Sequence, residues 1–463
     1  MDYREEGDSL GTVFVPWEAY YGAQTRRAEE NFPVSDLSFH PRFLTSLALI
    51  KKCAARVNAS LGLMDKDTAE AVDRAAQEVM DGGHADQFPV DVFQTGSGTS
   101  TNMNMNEVLA TRANEILTGE KRTTYPVHPN DHVNRSQSTN DVIPSAIHMT
   151  ALDLIRNKLL PALGLLQGEL EAKAGEFANI RKIARTHLQD AVVMTLGQEF
   201  SGYAAQTARA AERLQGAQSR LAELTLGGTA VGNGLNAPSG FAGEVIALIA
   251  RETGLPFAET ANHFQAQGAC DTMVETGGAL KTVGTCLMKI AEDIRWLASG
   301  PRCGLGEINL PELQPGSSIM PGKINPVVPE SVIQVGAQVM GNDTVIGVCG
   351  QKANLELCTM FPLLAYNLLQ SAELLANAAD LFASGCVRGI TANRERCEGN
   401  IRRSLALVTN LVPHIGYDRG AAIAAKALEQ GRTIEEVARN ELEMSEDELR
   451  RILYGESGNA SNT

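Results

Sequence analysis

Between Gln314 and Glu330 the chain reads QPGSSIMPGKINPVVPE, a segment with most of the parts needed to hold and deprotonate a small anion. Ser317 offers a hydroxyl for activation, Lys323 a point charge, Asn325 a directional amide and Glu330 a carboxylate at the far end. Gly316 and Gly322 open backbone conformations that other residues resist, while Pro315, Pro321 and Pro326 stiffen the segment. The combination predicts a mobile but non-random loop. It is not a nucleotide phosphate loop: five residues rather than four separate Gly316 from Gly322, and Ile324 stands where a magnesium-binding Ser or Thr belongs. On these residues alone, a Gly/Pro-rich connector between helices stays open as the plainer reading.

Three further segments concentrate polar groups. Residues 94–107 (QTGSGTSTNMNMNE) put Ser97, Gly98 and Thr99 ahead of Asn102, Asn104 and Asn106. Hydroxyls and backbone N–H groups at a helix start bind a carboxylate well, and a hydrogen-bonded turn before a helix explains the same residues. Residues 127–141 (VHPNDHVNRSQSTND) contain Ser138, Thr139 and Asn140, two hydroxyls and an amide in one turn. Helix capping by Ser138 or Asp141 is the alternative there. Residues 185–190 (RTHLQD) contain His187; a lone histidine in a helical protein is more often structural than catalytic. The stretch LGGTAVGNGLN (226–236) follows a helix rather than a strand and lacks an acidic partner, so it reads as a turn between helices, not a dinucleotide loop.

GSSIMPGKINP resembles the signature loop of the fumarase/aspartase superfamily, lyases that add water or an amine across a carbon–carbon double bond. QTGSGT, HPNDHVN, RTHLQDA, SGPRCGLGEI and PHIGYD resemble the class II fumarase branch in the same order, so the likeness covers nearly the whole chain. Thr139, where many of that branch carry a serine, and the NPVVPE ending lean towards the aspartases. Tyr125 stands where some relatives have a basic residue, and ANLELC (353–358) ends in Cys358 where relatives usually have an asparagine.

The resemblance implies roles. Ser97, Gly98, Thr99, Ser138, Thr139 and Asn140 would contact substrate, and His128, Pro129, Asn130 and Asp131 would form a secondary anion site. Thr186 and His187 match the family's active-site pair, with Glu330 as the histidine's carboxylate partner. Expelling hydroxide from malate requires its protonation, which such a pair can supply near neutral pH. Ser317 would take the proton next to the carboxylate, its alkoxide supported by Lys323 and helix N-termini. Ser318, Lys323, Ile324 and Asn325 would contact the substrate and stabilise an aci-carboxylate intermediate. The implied reaction is reversible hydration of fumarate to L-malate without metal or organic cofactor; deamination of L-aspartate is the alternative. A non-catalytic scaffold or lens-type protein would be expected to lose His187, Ser317 or Lys323, and all three are present. The family also implies a homotetramer in which three subunits contribute to each site.

The elements that must carry these groups are mainly helical. Low aromatic content (5%) with abundant alanine and leucine favours helix packing. Residues 1–137 read as a mixed, mostly helical region: Thr12–Pro16 as a strand or extended arm, Phe43–Leu61 as an amphipathic helix, and Thr68–Met80 as a second helix with Asp65 as its cap. Residues 138–392 read as a central bundle of long helices. In 272–299, Leu280, Val283, Leu287, Ile290, Ile294 and Leu297 form a seam at alternating spacings of three and four. Tyr203–Leu226 (with Ala204, Ala208 and Ala211 allowing close approach), Leu363–Phe382 and 145–176 are similar, the last kinked or broken at Pro161. Helices of this length suggest apolar faces that one chain cannot cover, hence an oligomer. Residues 393–463 read as a small helical domain, with capping boxes at Thr433/Glu436 and Ser445/Glu448 and a frayed tail, GESGNASNT.

Composition narrows the partners. A net charge of −15 argues against general binding to nucleic acid or anionic membrane, so a dianionic substrate must be captured by local positive potential. The eight cysteines form no C-x-x-C pair, which reads as reduced, buried thiols in a cytosolic protein and weighs against an iron–sulfur cluster. The acidic N-terminus resembles neither a signal nor a transit peptide, and no apolar run reaches membrane-spanning length.

Overall fold

A computed structural model describes residues 2–455; the expected frayed tail lies outside the described residues, apart from Gly455. Among the described residues the chain is mainly helical, with ten short strands. It forms two compact units, each assembled from three stretches. One contains residues up to 163, 209–286 and 334–378; the other contains 164–208, 287–333 and the chain from 379 onward.

In the first unit, helix Pro41–Ser60 buries Phe43, Leu47, Ile50, Ala54 and Val57. It packs against helices Lys66–Met80, Thr139–Leu154 and Phe241–Thr253. Asp65 caps Lys66–Met80 as expected, its carboxylate accepting from Thr68 N at 2.8 Å. Gly11–Pro16 is indeed a strand; its antiparallel partner is Tyr3–Asp8, which the sequence left unassigned. Helix Phe361–Gly385 contains the expected run from Leu363 to Phe382.

The second unit holds a feature that helical periodicity could not reveal. Arg181–Thr186 and Gln189–Thr195 pair as an antiparallel hairpin, turning through His187 and Leu188. Helix Arg394–Arg403 packs on its first strand. A separate apolar cluster of Leu407, Leu411, Ile423, Val437, Leu449 and Leu453 organises the C-terminal helices. Thr433 makes both bonds of its capping box. Ser445 makes only one, accepting from Glu448 N at 3.2 Å, so the second box is a simple serine cap.

Helix Asp271–Leu297 buries all six predicted seam residues. Three expectations for the long runs need correction. The run expected over 203–226 is helix Leu196–Leu221 and stops five residues early. Glu223–Leu224 instead pairs with Ala258–Glu259, Thr225 N donates to Ser145 Oγ and Thr225 Oγ1 donates to Asp141 O, so the chain here leaves the helix for tertiary partners. Of the three alanines, Ala204 is buried while Ala208 and Ala211 are half-buried; Tyr203, Thr207, Ala210 and Leu214 complete the inward face. The run expected at 145–176 begins at Thr139, and a π-helical turn, Ile155–Leu159, separates helix Thr139–Leu154 from helix Leu160–Glu176 just before Pro161. The wider turn accommodates the proline's missing donor without ending the helix.

All eight cysteines are free thiols, and all but Cys303 are buried. Cys358 is buried, its sulfur 3.6 Å from the Cys349 carbonyl oxygen. No helix among the described residues is long and apolar enough to cross a membrane.

Candidate active site

The polar segments of the first unit converge through two helix starts. Gly98 is the N-cap of helix Thr99–Thr118, and Ser138 is the N-cap of Thr139–Leu154. A Cβ placed on Gly98 would lie 3.1 Å from the Ile143 side chain, so the two helices begin in contact. Asn102 Nδ2 donates to Thr139 Oγ1 at 3.1 Å, joining them by a polar bond as well. Ser97 Oγ and Thr99 Oγ1 are 2.8 Å apart. The first turns of both helices therefore lie beside Ser97, Gly98, Thr99, Ser138, Thr139 and Asn140, and their positive ends suit a carboxylate.

Asp141 fixes this arrangement from behind. Its carboxylate accepts from Ser138 N at 2.9 Å, closing a capping box, and from Gly227 N and Thr229 N at 3.0 Å each. The sequence offered capping only as an alternative to substrate binding; the capping is present. The Gly-rich stretch 226–236 is a turn, as expected, and is stitched to the helix start by Asp141 and by Asn140 Nδ2 donating to Ala230 O at 2.8 Å. Burial pushes the Asp141 carboxyl up to about 6 despite its three backbone donors and the nearby Lys51.

A 490 Å³ cavity is lined by Thr99, His128, Pro129 and Asn130 together with Arg27 and Asp8. His128 Nδ1 accepts from Asn130 N and Asp131 N, both at 3.2 Å. That nitrogen is therefore an acceptor, and the 3.5 Å approach of the Asp131 carboxylate is no ion pair through it. Arg27 is already bound to Asp8 at 2.8 Å. Tyr125 is exposed and does not line the cavity.

In the second unit, Thr186 and His187 stand at the exposed tip of the hairpin. His187 and Leu188 have φ values of 57° and 58°. A two-residue turn with both φ positive suits Asn-Gly; a histidine and a leucine there cost on the order of 1–2 kcal/mol each. Local strain of this kind is a mark of functional positions. The hairpin is anchored by buried charge: Lys182 Nζ meets Glu199 at 2.5 Å and Glu307 at 3.1 Å, and Arg185 meets Glu307 at 2.8 Å. Burial pushes the Glu307 carboxyl up, but Arg185 and Lys182 outweigh it and hold the group below the usual carboxylate range.

The loop 314–330 is irregular up to Pro326, and helix Val327–Gly350 then begins with Glu330 in its first turn. A Cβ on Gly316 would lie 2.2 Å from Lys323 O, so only glycine allows the loop to close on itself. Asn325 Nδ2 donates to Gly316 O across that closure. Ser317 Oγ accepts from Ile319 N at 3.2 Å and Met320 N at 2.9 Å. Two backbone N–H groups aimed at one hydroxyl oxygen stabilise negative charge on it. Ser317, Lys323 and Ile324 line a 440 Å³ concavity, and Ser318 is exposed beside Ser317. Lys323, Ile324, Asn325 and Glu330 also line a 570 Å³ cavity with Trp296 and Arg295, a cavity whose lining does not include His187.

The sequence missed Asn134 and Lys51, which with Asn102 hold the first unit's helix starts. The alternating asparagines were visible, but burial of a lysine on an amphipathic helix left no local signal.

A family model described as "Lyase" matches residues 11–341, and one described as "Fumarase C C-terminus" matches residues 407–457. The chain is 53% identical to the class II fumarate hydratase of Nitrosomonas europaea, covering 94% of each chain. It is 52% identical to that of Halobacterium salinarum, covering 98% of this chain and 96% of the relative. Among solved structures, the class II fumarase of Schistosoma mansoni superimposes with a TM-score of 0.94 at 40% identity, covering 98% of both chains. Identity near one half, spread over nearly the full length, shows that the chain belongs to the class II fumarate hydratase family of lyases.

Proposed function

We propose that this fumarate hydratase family member interconverts fumarate and L-malate by acid–base chemistry. The observation that carries the substrate is its agreement with named fumarate hydratases at about half of all positions. The ammonia-lyase alternative rested on Thr139 and NPVVPE alone, and these few residues do not outweigh full-length agreement.

In the dehydration direction, Ser317 as an alkoxide takes the proton from the carbon next to one carboxylate. The two N–H groups on its oxygen support that charge. The resulting aci-carboxylate is stabilised by Lys323, Asn325 and Ser318, with Ile324 packing beside them. His187, partnered by Glu330, protonates the departing hydroxyl directly or through a water, and water leaves. Ser97, Gly98, Thr99, Thr186, Ser138, Thr139 and Asn140 hold the carboxylates. His128, Pro129, Asn130 and Asp131 form a secondary anion site, weakened by Tyr125.

The chain has three functional parts, divided near 137/138 and 392/393, and works as a homotetramer whose subunits complete each other's sites. Exposed Val348 and Leu381 on long helices are suited to burial against other copies. Its free thiols fit a cytosolic location. Ultraviolet absorbance of the fumarate double bond, followed separately with L-malate and L-aspartate, tests the reaction. Turnover of aspartate alone overturns it.

A further inference from the structure

Thr139 is useful to a carboxylate only as a donor, because a carboxylate can only accept. Which way its hydroxyl points is decided by an inward chain of hydrogen bonds. Thr139 Oγ1 accepts from Asn102 Nδ2 at 3.1 Å, leaving its own hydrogen free. The same Asn102 nitrogen donates to Asn134 Oδ1 at 3.2 Å. That oxygen also receives Asn106 Nδ2 at 3.2 Å and Lys51 Nζ at 2.9 Å.

Amide groups can rotate end for end, so the direction of such a chain needs an anchor. Lys51 supplies one: its side chain is fully buried, and although burial pulls its ammonium down to about 7, below that pH it can only donate. Rotating Asn134 would set its NH₂ against three donors and its oxygen against Gln137 O, which now accepts from Asn134 Nδ2 at 3.2 Å. Rotating Asn102 would set its oxygen against Asn134 Oδ1. The buried Oδ1 atoms of Asn102 and Asn106 have no hydrogen-bond partner. Their amides keep nitrogen towards Asn134 even though this leaves both oxygens unsatisfied.

We infer that Lys51 is a positioning residue that, through Asn134 and Asn102, fixes Thr139 as a hydrogen-bond donor towards the bound substrate. This rests on the reading of Thr139 as a substrate contact. Lys51 itself touches no substrate. The property it controls is polarity rather than shape, so replacements are ranked by whether they donate or accept, not by size.

The test is a kinetic double-mutant cycle on the full oligomeric protein with fumarate and L-malate. Thr139→Val in the otherwise unaltered protein should raise KM at least tenfold; no change would overturn the substrate-contact reading itself. Lys51→Met should raise KM by a similar factor, and adding Thr139→Val to it should then change little. Asn134→Asp still accepts from Lys51 and Asn102 but sets an oxygen against Gln137 O, so it should recover part of the loss shown by Asn134→Leu, which should match Lys51→Met. If Lys51→Met does not fold, Asn102→Leu paired with Thr139→Val carries the cycle without disturbing the buried ammonium. A harmful Thr139→Val whose effect multiplies independently with Lys51→Met, or with Asn102→Leu, overturns the inference while leaving the substrate-contact reading standing. So does an Asn134→Asp variant as impaired as Asn134→Leu.

Discussion

Lys182 and Glu307 meet at 3.1 Å with side chains 1% and 0% exposed, at the root of the hairpin that carries His187. Arg185, one residue from Thr186, shares the same carboxylate, and Asn400 Nδ2 donates to it at 3.1 Å. One buried acid thus holds two cations of the first hairpin strand. Removing it by Glu307→Ala strips Arg185 of its carboxylate and leaves Lys182 with Glu199 alone, and the expected loss is about 3 kcal/mol. Urea unfolding monitored by circular dichroism measures it. A loss under about 1 kcal/mol would mean that water reaches the pair and the anchor is weaker than its burial indicates.

Ser317→Ala should lower kcat by at least a thousandfold while leaving the particle size by light scattering unchanged. His187→Asn should be severely impaired as well. If separate copies complete each site, unfolding and refolding the two inactive variants together should restore measurable turnover, because some mixed oligomers contain an intact set. Mixtures that form but stay inactive would place both residues in a site made by one chain.

His148 is buried in the first unit, its Nδ1 2.8 Å from the Glu223 carbonyl oxygen. Burial pushes the imidazole down to about 4. Between the ordinary value near 6.5 and that figure, the unfolded chain binds a proton that the folded chain refuses. Stability is therefore lost as pH falls through this window, by up to about 3 kcal/mol at its lower end. His148→Gln should remove this component, seen as a shallower decline of the urea midpoint from pH 6.5 to 4. Parallel declines for both proteins would show that His148 is not the group responsible.

Gly96 tests the support behind Ser97. A Cβ there would fall 1.9 Å from Thr359 O, and Phe361 N donates to Gly96 O at 3.0 Å. Gly96→Ala should cost more than about 2 kcal/mol and impair turnover, because two backbones must part. Gly168→Ala is the contrast, since that helical glycine has open space around its Cβ position. It should stabilise by about 0.5–1 kcal/mol. Thermal melts of both variants decide; a neutral Gly96→Ala would mean the 94–98 loop is free to move.

The sequence by itself determined the long helices, the seam from Leu280 to Leu297, the Asp65 and Thr433 caps and the four polar segments proposed to form the site. These depend on apolar spacing and on local side-chain to backbone bonds, both written within a few turns of chain. It did not determine the hairpin under His187. The His187–Leu188 turn lacks the Asn-Gly signal, and its strands owe their place to Glu307, more than a hundred residues away. Nor did it determine that Lys51 is buried, that Asp141 also binds Gly227 N and Thr229 N, or that Asn102 reaches Thr139. A buried polar group takes its meaning from the partner that satisfies it, and that partner is supplied by tertiary packing rather than by adjacent sequence.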